Sequence, residues 1–270
     1  MPFGNIKSRN PIKSVITQIL GWPSLIRRMQ APYLMKYLVL KKSDNVLDLG
    51  SSEGYMAYET AKISKVFATD IFLLKYNVNY ITAQQKNSRF MLSDATKLPF
   101  KDNSFDKILL SSVLQMIEKD KEVLSEIKRV LKSKGVLVFS VPTKYIFISR
   151  IYNNKILINI ISKIFRIPNT YGSFIKDMKG KCGSYGKGNY TEGEIKNLLQ
   201  DTGFGIEEHI HAPGFFGSVV YELILFLSYC FRLPLFNPFY VIFYPVPYVL
   251  DKLIKINAGC EFIFKVRNKA

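Results

Sequence analysis

Short apolar runs alternate with amphipathic segments between residues 45 and 141. Each run is rich in Val, Ile, Leu or Phe and ends at a Gly, Asp, Ser or Pro, as buried strands do. The runs are 45–49, 65–69, 89–93, 105–110 and 136–141. Segment 120–132 places apolar residues on one face at helical spacing and predicts an amphipathic helix. This alternation predicts an α/β fold with a largely parallel sheet and crossover helices.

The pattern continues nearer the end of the chain. Thr191 and Glu194 form a capping-box signature for a helix that ends at Gly203. Runs 204–211 and 260–266 predict two further strands. We therefore predict an N-terminal helical segment over residues 1–42 and an α/β domain over residues 43–270. Two insertions that interrupt the alternation are predicted to form a cap, and they cover residues 144–190 and 213–257.

Composition changes this picture in two respects. The chain has 270 residues, 38 Lys and Arg against 21 Asp and Glu, and a net charge of +17, which favours a polyanion or an anionic membrane surface as partner. Three widely spaced cysteines and the lack of a signal-peptide pattern predict a cytoplasmic protein. The most apolar stretch, Phe215 to Phe231, contains Glu222 and predicts a buried or interfacial helix, with monotopic insertion left open.

A glycine-containing turn follows the first predicted strand. Asp48 stands at the strand end, and Gly50 and Gly54 allow the backbone to come close to a ligand at the start of the next helix. The spacing differs from the dinucleotide fingerprint, and an acid at this place suits a ligand that carries an ammonium group. An ordinary strand–turn–helix junction is an equal alternative for this segment alone.

Two further acidic residues favour a ligand site over an ordinary strand–turn–helix junction. Asp70 follows Asp48 by 22 residues, close to the offset of about 20 at which an acid binds ribose hydroxyls. Asp94 follows the third predicted strand. Because parallel strands present their carboxyl ends at one edge of the sheet, all three acids are expected at the edge where open α/β sheets bind ligands.

Residues 46–141 resemble the core of small-molecule class I S-adenosylmethionine-dependent methyltransferases. The first motif of that family, D-x-G-x-G-x-G, is matched by Asp48, Gly50 and Gly54, with Ser52 in place of the middle glycine. The stretch 98–106 resembles the family's LPF…D-x-S-F-D segment. The resemblance implies a Rossmann-like, seven-stranded, mostly parallel sheet whose last strand is antiparallel, with helices on both faces and a helical cap.

S-adenosyl-L-methionine is the cofactor that the resemblance implies. Asp48 would orient the methionine ammonium, Asp70 would hold the ribose, and Asp94 with Ala95 would bind the adenine. The residues expected at the cofactor are Asp48, Gly50, Ser51, Ser52, Gly54, Asp70, Ile71, Asp94, Ala95 and Ser111. Gln115 stands where many relatives carry a histidine, and neither a catalytic residue nor a metal ligand is assigned.

Several other side chains have weaker functional patterns. His209 and His211 lie two apart on a predicted strand and share a face, which favours a structural role over a catalytic base or a metal pair. Tyr185 and Tyr190 are candidates for the acceptor pocket, and Cys182 is interpreted as a small loop side chain.

The composition of the predicted cap indicates which class of acceptor the protein binds. Both insertions follow strands at the ligand edge and mix apolar with cationic residues, which suits a small-molecule or lipid-linked acceptor at an anionic membrane surface. An ordinary lid or dimer contact remains an equal alternative, the oligomeric state is open, and nucleic acid ranks lowest because no recognition motif is present. We predict a methyltransferase of glycan, lipid or quinone-like biosynthesis, peripheral at the inner face of the membrane. A catalytically silent scaffold of the same fold, acting at a membrane surface, is the alternative.

Overall fold

The computed structural model describes residues 25–52, 54–72, 87–143, 190–230 and 245–269, together with residues 160 and 163. The strands are β1 (Asn45–Leu49), β2 (Lys65–Asp70), β3 (Ser88–Leu92), β4 (Phe105–Ser111), β5 (Leu131–Pro142), β6 (Phe204–His211) and β7 (Glu261–Asn268). The helices are α1 (Leu25–Leu38), α2 (Tyr55–Ala61), α3 (Asp120–Val130), α4 (Glu192–Asp201), α5 (Phe215–Cys230) and α6 (Pro245–Leu253). A 3₁₀ turn spans Leu114–Met116.

All seven strands form one sheet in the order β3-β2-β1-β4-β5-β7-β6. The pairs from β3 to β5 are parallel, and β7 runs antiparallel to both β5 and β6. The carboxyl ends of β1 to β5 therefore lie at one edge of the sheet, which we call the ligand edge. This topology confirms the predicted mostly parallel sheet with an antiparallel last strand.

Alternation along the strands explains the helices on both faces. Leu47 and Leu49 pack in the cluster that contains the apolar residues of α3 and α4. Val46, the residue before Leu47, packs on Ala57 and Ala61 of α2. Since successive strand side chains point to opposite faces, one run of apolar residues supplies both layers of the core. The prediction of helices on both faces is confirmed.

The predicted boundary between the helix at 120–132 and the fifth strand is wrong by several residues. The helix predicted over 120–132 ends at Val130, because Leu131 adopts the extended conformation at φ −79° and ψ 131°. Leu131 pairs with Phe105 at the start of β4, so the fifth strand begins there and not at residue 136. The helical spacing of Leu131 indicated only that it is buried, and its strand partner fixed its conformation.

The predicted N-terminal helical segment is described from residue 25 onward. Met29, Leu34 and Leu38 of α1 are fully buried, so this helix is part of the core. The boundary at residue 42 stays a prediction. The first insertion, residues 144–190, lies outside the described residues except for 160, 163 and 190.

The second insertion contains two helices at the ligand edge. Helix α5 follows β6, and α6 precedes the antiparallel β7, so both connect to strand ends at that edge. Asp251 of α6 accepts hydrogen bonds from the Phe216 and Gly217 amides at the start of α5, at 2.8 and 2.9 Å. A carboxylate at a helix N-terminus stabilises the free amides, and here it joins two helices. In the described part of the chain, none of the helices has the length and apolar character needed to span a membrane.

Candidate cofactor site

The three acids singled out in the sequence line one edge of neighbouring strands. Asp48 lies near the end of β1, Asp70 ends β2, and Asp94 follows β3 by two residues. The parallel registers pair Asp48 with Ala68 and Asp70 with Leu92, which places the strand ends side by side. The structure therefore brings the three carboxylates to the edge that the strand pattern predicted.

The turn after β1 has the backbone that a close ligand approach requires. Gly50, Ser52 and Gly54 have positive φ values of 73°, 46° and 79°. A Cβ on Gly50 would stand 2.5 Å from Cγ2 of Val113, so only glycine fits there. Ser52 adopts the left-handed conformation despite its side chain, and its amide donates to Oδ2 of Asp70 at 2.8 Å. Asp70 thus holds the turn in addition to any ligand role.

Asp48 is a buried carboxylate with an unused oxygen. It is 1 % exposed, and its Oδ2 has no hydrogen-bond partner among the described residues. Burial raises the pKa of Asp48 to about 7, with a smaller contribution from the charge of Asp70, against the opposing effects of Arg27 and the Ala57 amide. A cation near Oδ2 would favour the ionised form.

Unpartnered polar atoms also occur beside Asp48. The hydroxyls of Ser51 and Thr69 are buried and lack partners among the described residues. The Thr69 carbonyl accepts hydrogen bonds from the Gly50 and Ser51 amides, at 2.8 and 2.9 Å, so its backbone is committed to the turn. Buried polar side chains in native proteins are nearly always satisfied, which makes these atoms candidates for ligand contact.

Asp94 lies beyond the end of β3, the outermost of the three strands that carry these acids. Its Oδ1 accepts hydrogen bonds from the amide and the hydroxyl of Thr96, both at 2.8 Å. These bonds hold the pKa of Asp94 below its ordinary value, so the carboxylate stays ionised near neutral pH. Ala95 packs at the margin of the core, and the side chain of Ile71, next to Asp70, is 61 % exposed.

Ser111 belongs to a polar cluster that the sequence did not predict. Its hydroxyl donates to Oε1 of Gln30 at 3.0 Å, and Arg27 donates to both the hydroxyl and the carbonyl of Ser111. Gln30 also donates to Ser112 Oγ at 2.9 Å and to Glu261. Arg27, Gln30 and Glu261 were missed because they lie far from Ser111 in the chain. A charged residue in the apolar run 260–266 was the one signal that could have found Glu261.

The histidines have separate surroundings. Nε2 of His209 is 2.9 Å from Oε1 of Glu192, and its ring stacks on Phe264. The ring of His211 is tilted against Phe262, and burial lowers the pKa of His211. Within the described ranges, no group of three His, Cys, Asp or Glu side chains is placed to hold a metal ion.

Two other candidates are placed by hydrogen bonds. Tyr190 is buried and its hydroxyl donates to Oδ2 of Asp120 at 3.1 Å, so it lies in the core and not at an open pocket. Gln115, in the 3₁₀ turn after β4, donates from Nε2 to the Ser112 carbonyl at 2.8 Å. Tyr185 and Cys182 lie outside the described residues.

Residues 47–139 match the family model of a methyltransferase domain. Relatives include the ubiquinone/menaquinone biosynthesis C-methyltransferase UbiE of Rickettsia prowazekii, 31 % identical over 147 residues, which are 50 % of this chain and 58 % of that protein. UbiE of Francisella tularensis subsp. novicida is 34 % identical over 114 residues, 38 % of this chain and 46 % of its own length. The chain spans about half the length of the curated relatives it matches.

Solved structures share the fold. Phosphoethanolamine N-methyltransferase 2 of Haemonchus contortus superimposes with a TM-score of 0.57 at 17 % identity, covering 89 % of this chain and 52 % of that one. The 1,6-didemethyltoxoflavin-N1-methyltransferase of Burkholderia thailandensis gives 0.55 at 13 % identity, covering 92 % and 80 %. At these identities the likeness shows the fold alone. Residues 47–139 therefore match a methyltransferase-domain model, and the chain has the Rossmann-like fold of these methyltransferases, as the resemblance predicted.

Proposed function

We propose that this protein is an S-adenosylmethionine-dependent methyltransferase that modifies a small-molecule or lipid-linked acceptor in glycan, lipid or quinone-like biosynthesis. The observation that carries the proposal is the row of Asp48, Asp70 and Asp94 along the adjacent ends of β1, β2 and β3, beside the glycine turn. A single elongated ligand, with a cationic group at one end and two hydrogen-bonding groups along its length, would contact all three acids.

The residues of the turn fit the methionine end of this cofactor. Asp48 has a buried oxygen without a partner, and an ammonium group beside it would hold the carboxylate ionised. The unpartnered hydroxyls of Ser51 and Thr69 stand at the same strand ends and can satisfy further polar groups. Gly50 keeps the turn free of a side chain.

The ribose and adenine would lie along β2 and β3. Each oxygen of Asp70 accepts one backbone amide, from Ser52 and Phe72, and keeps a second lone pair for a ribose hydroxyl. Ionised Asp94 can accept the adenine amino group. The exposed side chain of Ile71 offers an apolar surface to the flat face of the base.

When bound, S-adenosylmethionine supplies a methyl group on an already activated sulfonium, so the protein has to align the acceptor and exclude water. The row of acids would fix the donor along the sheet edge. The relatives named for quinone biosynthesis support a small-molecule acceptor.

An apolar face at the ligand edge supports a lipid-linked acceptor. We define it by the exposed apolar side chains of α5, α6 and the residues after α6, which are Phe215, Val219, Leu223, Val246, Val249, Leu253, Ile254 and Ile256. Leu253 and Val246 are 74 % and 64 % exposed. Lys252 and Lys255 lie exposed within this face. Apolar side chains beside cations match the surface of an anionic bilayer, which would deliver a lipid-linked acceptor near the proposed cofactor.

Calorimetric titration with S-adenosylmethionine and S-adenosylhomocysteine tests the cofactor. We expect micromolar binding of both, lost in Asp94→Ala and kept in Asp102→Ala, whose carboxylate is exposed and pairs with Arg129. Absence of binding to folded wild-type protein would contradict the proposal and favour a catalytically silent scaffold.

Co-sedimentation with liposomes tests the membrane part. We expect salt-sensitive recovery with anionic liposomes, little with neutral ones, and a loss in the double variant Leu253→Ser, Ile254→Ser. Ile63→Ser is the matched control, because Ile63 is 47 % exposed but precedes β2 at the opposite edge. Equal recovery from both liposomes, or an equal loss in the control, would refute membrane binding through this face.

A further inference from the structure

The row of acids leaves a defined side of the sheet for the acceptor. If adenine, ribose and methionine lie over β3, β2 and β1, the next strands in the sheet order are β4, β5 and β7. The acceptor must meet the methyl group from that side. Glu261 is the first residue of β7 and pairs with Pro142, the last residue of β5, so it stands at this part of the ligand edge.

Glu261 is a buried carboxylate on which several elements converge. It is 4 % exposed and accepts hydrogen bonds from Ser112 Oγ, at 3.0 and 3.1 Å to its two oxygens. It also accepts from Gln30 of α1 and from the side chain of Ser140 of β5. Ser112 has a φ of 52°, an uncommon conformation for a non-glycine residue and one that is frequent at functional sites.

Strand alternation places Glu261 on the same face of the sheet as Asp48. The positive charge of Arg27 of α1 acts on both carboxyl groups and opposes the rise in pKa that burial causes in each. The guanidinium is therefore close enough to act electrostatically on both the proposed methionine site and the carboxylate of β7. A charged group buried this deeply needs compensation, and its placement beside a cofactor site is typical of function more than of stability.

We propose that Glu261 is the proton-accepting carboxylate of the acceptor site and that the acceptor is protic, a phenol or an enol. This inference rests on the proposed methyltransferase function. The acceptor hydroxyl gives its proton to a Glu261 oxygen while the acceptor oxygen, or the ring carbon conjugated with it, forms the bond to the methyl carbon. The carbon–sulfur bond breaks in the same step, and its electron pair stays on sulfur.

The electrostatic surroundings suit a base at neutral pH. Burial raises the pKa of Glu261 to about 7, although Arg27 and the hydrogen bonds from Ser112, Ser140 and Gln30 act in the opposite direction. The other titratable or charged groups of this region are Asp48 of β1, Tyr221 and Glu222 of α5, and Cys260 before β7. Asp48 titrates in the same range, but its proposed partner is the methionine end of the cofactor, which sinefungin and S-adenosylhomocysteine share.

A pair of ligands tests the position of Glu261 without a known acceptor. Sinefungin resembles S-adenosylhomocysteine but carries an ammonium group where the transferred methyl group would stand. If Glu261 faces that point, wild-type protein should prefer sinefungin, and Glu261→Gln should reduce the preference by about tenfold or more while S-adenosylhomocysteine affinity is kept. Glu208→Gln is the control, since Glu208 is exposed on β6 and pairs with Lys265.

A merely structural role would change both affinities together, because Glu261 also anchors α1 through Gln30. An unchanged ratio of the two affinities in Glu261→Gln would overturn the inference and leave the methyltransferase proposal intact. Failure of wild-type protein to bind S-adenosylhomocysteine would refute both.

A second measurement serves if the variant does not fold. In wild-type protein, the preference for sinefungin should fall as the pH is lowered through about 7, because protonation removes the charge of Glu261. A preference that stays constant from about pH 8.5 to 5.5 would overturn the inference.

Discussion

Replacing Asp48 by asparagine should make the ligand-free protein more stable at pH 8. Asparagine has nearly the same shape but carries no charge. The carboxylate that it replaces is buried with one oxygen unpartnered. Removing a buried charge that is only partly compensated can stabilise a native protein at the expense of its function.

The magnitude follows from the pKa of Asp48, which burial raises from 3.8 to about 7. Each pKa unit corresponds to about 1.36 kcal/mol, so the ionised carboxylate costs the folded state about 4 kcal/mol relative to the unfolded state. The attraction of Arg27 is already included in this raised pKa, so the expected gain of the variant at pH 8 is about 4 kcal/mol.

The pH dependence has a definite sign. Between pH 3.8 and about 7 the folded state binds more protons at Asp48 than the unfolded state, so wild-type stability falls as the pH rises through this window. The advantage of Asp48→Asn should therefore be near zero at pH 4 and complete above pH 7. Urea unfolding at pH 4, 6 and 8 measures it directly, and calorimetry should show that the variant has lost cofactor affinity.

Asp106→Asn is the matched control of opposite sign. Burial would raise the pKa of Asp106, but hydrogen bonds from the Asn45 amide and from Lys132, at 3.0 and 2.8 Å, outweigh it and lower the pKa. This variant should lose about 1–3 kcal/mol at pH 8. A loss of stability in Asp48→Asn at pH 8, similar to that of the control, would refute the reasoning.

Two further predictions concern the turn. Asp70→Ala should abolish tight cofactor binding and lower the melting temperature by no more than about 5 °C, since it removes two backbone hydrogen bonds at the edge of the fold; retained affinity by calorimetry would contradict the ribose role. Gly50→Ala should lose at least about 2 kcal/mol by urea unfolding, because its φ is 73° and its Cβ would strike Val113. Adding Val113→Ala should restore part of that loss, and a double variant as unstable as the single one would argue against the steric cause.

Local patterns predicted most of the fold and part of the site. The runs 45–49 and 204–211 became strands with the predicted bounds, because turn residues beside them, such as Gly50 and Gly203, mark strand ends in the local sequence. The capping box of Thr191 and Glu194 formed for the same reason. The edge position of the three acids followed from parallel strand direction, which the alternation of strands and helices already implied.

Tertiary packing decided the features that join distant parts of the chain. Leu131 is extended and not helical because it pairs with Phe105 at the start of β4. Tyr190 is buried, and its hydroxyl donates a hydrogen bond to Asp120. The cluster of Arg27, Gln30 and Glu261 arises only when α1 lies across β4, β5 and β7. The sequence by itself determined the sheet, its acids and the glycine turn, since periodicity and chain direction are local properties. Only the tertiary structure determined which charges share a buried space, because burial and pairing depend on residues that the chain brings together from opposite ends.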